Sequence, residues 1–208
     1  MQVINTPFEA SQVPPLFAGI FNSLGIWPLL YAAVLLPGAA GQSTIPAAPF
    51  CAGSFFLGAF ALSPYLALRE YRGKPGDHRR KRDWPTRNVL ESRWNAVLAL
   101  AGTAYLALYA LGNGTIGAVA PEAAWAGFLP LFTQSLTAHV SSVDFMVLWM
   151  FFPPVLLEDG RRRGRFAGPP GEWASAEKAL FAFCAAVPVV GGGVWLLLRP
   201  ELAQGGEE

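Results

Sequence analysis

Charge is scarce in this chain. Asp, Glu, Lys and Arg make up 14% of its 208 residues, against roughly a quarter in soluble domains, while apolar residues make up 53%. Cysteine is scarcer still. Cys51 and Cys184 are the only two, with no C-x-x-C spacing, which excludes a disulfide scaffold and a zinc ribbon and leaves small packing residues as their role. The two histidines, His78 and His139, stand far apart, and H-E-x-x-H is absent. No glycine-rich loop leads into Lys and Ser or Thr, and no serine or cysteine sits in a nucleophile elbow. The first 15 residues hold no Lys or Arg, so neither a cleavable secretory signal nor an Arg-rich transit peptide is expected there.

What the chain has instead is long apolar runs. Five of them, Leu16–Pro37, Pro49–Arg69, Trp94–Gly112, Thr137–Leu157 and Ala179–Leu198, are each about 20 residues long. At about 1.5 Å rise per residue, each matches the ~30 Å hydrocarbon core of a bilayer. Backbone polar groups in lipid must be satisfied within their own segment, so helices are expected and open sheets are not. The spacing therefore predicts an all-α, polytopic membrane protein with five spans in one domain covering residues 1–208. The stretch Pro121–Leu136 carries Trp125, Phe128, Leu129, Leu131 and Phe132, and predicts a short interfacial helix before the fourth span.

The net charge of +1 conceals an asymmetry. Apart from Arg199, every basic residue flanks or fills the loop between runs two and three or the loop between runs four and five. With five spans these loops share one face, and the positive-inside bias assigns that face, together with the N-terminus, to the cytosol or stroma. The C-terminus then falls opposite. Arg79, Arg80, Lys81 and Arg82 in the first loop and Arg161, Arg162 and Arg163 in the second are candidate contacts for anionic lipid or an acidic partner. Nothing near them supplies stacking or base readout, so nucleic acid is not an expected partner. The adjacent Glu158 and Asp159 read as a water-exposed ion-pair cluster beside the arginines. Glu91 and Arg93 stand two apart and cannot share a helix face.

Asp144 is the most informative polar residue. It falls about 10 Å below the non-basic surface, where a carboxylate costs about 2.5–3.5 kcal/mol and needs a partner or water. At 100° per residue Thr137, Ser141 and Asp144 share a face, and His139 points elsewhere. Two readings stay open: a carboxylate hydrogen-bonded to Ser54, Tyr105 or Tyr109, or a proton, ion or ligand site with His139 near its mouth. His139 is also a potential ligand to a pigment or haem metal. No cofactor is demanded by the sequence, with chlorophyll, carotenoid or lipid as the candidates.

The stretches Phe21-Asn22-Ser23-Leu24-Gly25-Ile26-Trp27-Pro28, Pro46-Ala47-Ala48-Pro49-Phe50 and Phe60-Ala61-Leu62-Ser63-Pro64-Tyr65 resemble uncharacterised integral membrane proteins of plant and algal plastids and cyanobacteria. His139-Val140-Ser141-Ser142-Val143-Asp144-Phe145, with the later Glu158-Asp159-Gly160-Arg161-Arg162, fits the same group. The resemblance implies a plastid or thylakoid-type membrane and names no reaction. The leading expectation is a non-enzymatic accessory, structural or assembly component, packed in the bilayer against other membrane proteins. The alternative is a small transporter or ligand-binding protein working through Asp144 and His139.

Overall fold

The computed structural model describes residues 13–39, 45–70, 84–111 and 121–202, which are helical with no strand among them. The order is α1 (Pro15–Ala39), α2 (Ala47–Leu57), α3 (Ala59–Leu68), a π turn over Thr86–Leu90, α4 (Arg93–Ala110), α5 (Pro121–Gln134), α6 (Leu136–Arg162), α7 (Ser175–Ala186) and α8 (Val190–Leu198). Two helices, Pro15–Gly38 and Leu136–Arg162, are long and apolar enough to cross a bilayer. The short helix expected before the fourth run is α5.

α1 and α6 form the centre and run parallel. The Tyr31 hydroxyl donates to the Leu148 carbonyl at 2.6 Å, and the Trp27 ring meets Phe145 and Phe152 edge-on at 6.1 and 5.3 Å. Near their starts Phe17 clusters with Phe128 of α5 and with Ala138. Near their ends Gly38 lies against the Arg162 guanidinium. α4 runs the opposite way. Its Ala110 Cβ sits 2.4 Å from where a Cβ on Gly19 would stand, a close approach only glycine permits.

The second and fifth apolar runs, each expected to be one straight span, are not single helices. Each is broken in the middle and doubled back. In a straight helix Phe50 and Tyr65 would be about 22 Å apart, yet their ring centroids are 5.5 Å apart. A Cβ on Gly53 would touch that of Ala61 at 3.4 Å. α2 and α3 are therefore antiparallel arms of a hairpin with Gly58 at its tip. Gly58 has φ 53° and ψ −130°, a conformation that is costly for any residue with a side chain.

α7 and α8 repeat the device. Phe166 touches both Phe181 and Trp195, at 5.5 and 5.4 Å, although a straight helix would hold those two about 21 Å apart. The turn lies at Val187–Val189, where Pro188 lacks an amide donor and Val189 takes φ 63°. The triple glycine that follows lets α8 nest among its neighbours. A Cβ on Gly193 would lie 2.9 Å from Leu100 Cα, and one on Gly192 2.8 Å from a Leu30 methyl.

The hairpins change the expected sidedness. Both open toward the end of the bundle where α1 and α6 finish and α4 begins. The start of α1 lies at the opposite end from the arginines, and Arg199, expected across from them, lies among them. Gly58→Ala should lower thermal stability by about 1–3 kcal/mol, because the new methyl takes a strained φ and lands on the Asp144 carboxylate. Gly102→Ala, whose Cβ meets open space on α4, should be neutral to slightly stabilising. Melting curves of the purified protein compare the two.

Candidate functional site

Two polar sites stand out, one at each end of α6. At its C-terminal end, Glu158–Arg162 and Asp159–Arg163 follow the i, i+4 acid-to-base spacing that extends a helix, so α6 runs on beyond the expected stop at Leu157. Glu158 and Asp159 are fully buried, and Arg162 and Arg163 nearly so. The water-exposed cluster expected from the sequence is thus an internal one, because α1, the π turn and α8 close over it. Arg162 and Arg163 are correspondingly withdrawn from the lipid or partner contact expected of them. Arg161 lies nearer the surface and reaches the Gly168 carbonyl at 3.4 Å. Arg79, Arg80, Lys81 and Arg82 lie outside the described residues.

Arg163 is the centre of this cluster. Its two terminal nitrogens grip both Glu91 oxygens at 2.9 and 2.7 Å, its Nε donates to Asp159 at 2.9 Å, and the Pro200 carbonyl accepts at 2.7 Å. Asp159 also accepts from the Trp195 indole at 2.9 Å. Arg199 donates to the carbonyls of Ala33 and Leu90 at 2.7 and 2.6 Å and faces Glu91 and Asp159 at 3.3 and 3.6 Å. Glu158 holds Arg162 and, at 2.5 Å, Arg69 from the end of α3.

Burial works against the charge on Arg163, but Asp159 and Glu91 outweigh it and hold its pKa above the ordinary guanidinium value. For Arg199 burial prevails, against the pull of Asp159 and with the push of Arg163, and its pKa falls below that value. Arginine stays cationic at neutral pH in either case. Glu91, isolated in sequence, is the partner that sequence reasoning missed.

At the other end, Asp144 reaches the tip of the first hairpin. One carboxylate oxygen accepts the Ala59 N–H at 2.6 Å, so Asp144 caps the first turn of α3 from another helix. The partners expected for it are otherwise engaged: Ser54 donates to Cys51 at 2.7 Å, and Tyr105 stacks on Tyr109. Asp144 and Ser141 line a cleft of about 550 Å³ together with Asn22 and several phenylalanines. Thr137 and His139 are exposed and do not line it; the His139 ring meets Phe132 at a tilt of 35°, centroids 4.5 Å apart. His139 therefore does not join Asp144 in lining the cleft. Among the described residues no group of three His, Cys, Asp or Glu side chains is placed to hold a metal.

Compared with known proteins, the chain matches no family model, no curated protein and no solved structure.

Asp159→Asn leaves two buried arginines short of a counter-charge, and it should destabilise the fold by about 3–5 kcal/mol. Arg93 and Glu201 form an exposed pair at 3.6 Å, and Glu201→Gln should cost less than about 1 kcal/mol. Thermal melts of the two variants in the same detergent provide the comparison.

Proposed function

We propose that this chain is an integral membrane protein with a non-enzymatic accessory, structural or assembly role. The observation that carries the membrane placement is its outer surface. Phe56 is 89% exposed, Leu136 80% and Phe60 76%, and Leu98, Met146, Met150 and Phe183 continue the same apolar belt. Apolar faces of this kind are covered in soluble proteins, and Glu158, Asp159, Arg162 and Arg163 are drawn inward rather than left to solvate them. α1 and α6 cross the bilayer, and α4 runs antiparallel beside α1 from Gly19 to the arginine end. The two hairpins, with arms of about 15 Å, enter and leave on the arginine side. That side faces the cytosol or stroma by the positive-inside bias, which puts the start of α1 on the opposite side. The plastid or cyanobacterial membrane rests on the sequence resemblance.

The accessory role is supported by how the charges are spent. Those of the buried cluster are committed to holding the helices together, while aromatic and small-residue faces remain for neighbours. A nearly all-apolar groove of about 340 Å³ between α1 and α4, lined by Leu29, Ala33, Leu98 and Gly102, suits an acyl chain or pigment tail. The second reading, a small transporter or ligand-binding protein, is favoured by the cleft that reaches Asp144.

Single cysteines report the placement. Gly171→Cys and Glu201→Cys should react with an impermeant maleimide from the same side of sealed vesicles, and Glu122→Cys from the other. Reaction of Gly171→Cys and Glu201→Cys from opposite sides would restore the fifth span. For the role itself, the protein purified gently from its native membrane should bring membrane proteins or pigment in fixed stoichiometry. A lone, colourless protein would overturn the accessory reading.

A further inference from the structure

The first hairpin does not cross the whole bundle, and what it leaves open is the cleft at Asp144. Asp144 precedes Glu158 by fourteen residues on α6, about 21 Å of helix, and follows Leu136 by about 12 Å. The Gly58 tip stops at the level of Asp144. Above it, toward the start of α1, the described residues that wall the cleft come from α1 and α6.

Two polar groups in the cleft are unspent. The second oxygen of Asp144 rests against the Gly58 tip, where a Cβ would collide with it, and has no hydrogen-bond partner among the described residues, the first oxygen being held by Ala59. Ser141 is more telling. Ser23, Ser54 and Ser142 each return their hydroxyl to a carbonyl of their own helix at 2.7 Å. Ser141 is 9% exposed, lines the cleft, and makes no such bond among the described residues. It stands one turn from Asp144 on the same face. Phe21, Phe55, Phe56 and Phe60 bring aromatic rings to the remaining wall, beside Leu24, Leu57 and Val140.

We propose that this cleft is a binding site for a small organic ammonium ion, held by the free oxygen of Asp144 and the Ser141 hydroxyl against the phenylalanine faces. One carboxylate balances one positive charge, whereas a divalent cation asks for several oxygen ligands and more than one acid. Aromatic faces attract an alkylated cation, and a small inorganic ion gains little from them. The volume lies within the range of small-molecule sites. The inference rests on the membrane placement above and deepens the ligand-binding reading. The same chemistry serves a free amine or the headgroup of a lipid.

The test uses the full chain in phosphatidylglycerol nanodiscs, whose lipid carries no amine, with benzylammonium as probe and benzyl alcohol as its neutral counterpart. Calorimetry should show benzylammonium binding at least about tenfold tighter than benzyl alcohol. Asp144→Asn keeps an oxygen for the Ala59 N–H, so it should melt like the parent while losing about tenfold in benzylammonium affinity and none for benzyl alcohol. Ser141→Ala should lose a smaller factor. A smaller loss on Asp144→Asn in phosphatidylcholine than in phosphatidylglycerol discs, each pair compared within one lipid so that surface charge cancels, would identify the lipid headgroup as the natural source, and an equal loss a free amine. Equal affinity for the two probes, an unchanged Asp144→Asn, or displacement by millimolar sodium would overturn the proposal. The cysteine-accessibility pattern reports separately whether the membrane placement holds.

Discussion

The buried charges at the end of α6 are the constraint on which the rest of the structure depends. Three carboxylates, Glu91, Glu158 and Asp159, meet four guanidinium groups, those of Arg69, Arg162, Arg163 and Arg199. None can be withdrawn without leaving another uncompensated in a medium that screens poorly. Their backbone partners matter as much. Through Arg199 and Arg163 the cluster holds carbonyls of α1, the π turn and the chain just after α8. Through Arg69 it holds the last residue after α3. The cluster thus joins α6 to α1, the π turn, the end of α3 and the end of α8 by charge-assisted bonds.

That knot explains how two broken helices stay in place. Each arm is too short to be stable alone in water, and each tip exposes helix ends that lipid would not satisfy. The first hairpin is held at its base by Arg69 with Glu158 and at its tip by Asp144 on Ala59, two points on the same helix. The second is held at its base by Trp195 and Arg199 and near its tip by the Trp149 indole, which donates to the Ala185 carbonyl at 2.9 Å. α6 thus serves as a post that fixes the depth of both hairpins. The cleft at Asp144 follows from that depth, since the hairpin stops short of the far end.

Where the polar groups lie separates structural from available chemistry. The arginines that look most like a docking surface are consumed internally. The aspartate that looks like an isolated site is half consumed as a helix cap, and only its remaining oxygen, with Ser141, is left to meet something else. The belt of large apolar side chains is unopposed over the outer surface, which is why the bilayer is the environment we infer.

The all-helical fold was legible in the sequence because apolar runs of helix-spanning length leave little else for the backbone to do. The short α5 was legible too, from local composition. The membrane was an expectation from the same runs. What only the tertiary structure decided was whether a run of about 20 apolar residues crosses or turns back. Composition and length are the same for a span and for two 10-residue arms, and the local signals, Gly58 and Pro188, are common in membrane helices that run straight. Likewise Glu91 stands 72 residues from Arg163, so no local spacing foretold their pairing, and the burial of Glu158 and Asp159 depended on α8 folding back over them. Periodicity reports what a segment is made of; which way it faces and what covers it are set by partners distant in the chain.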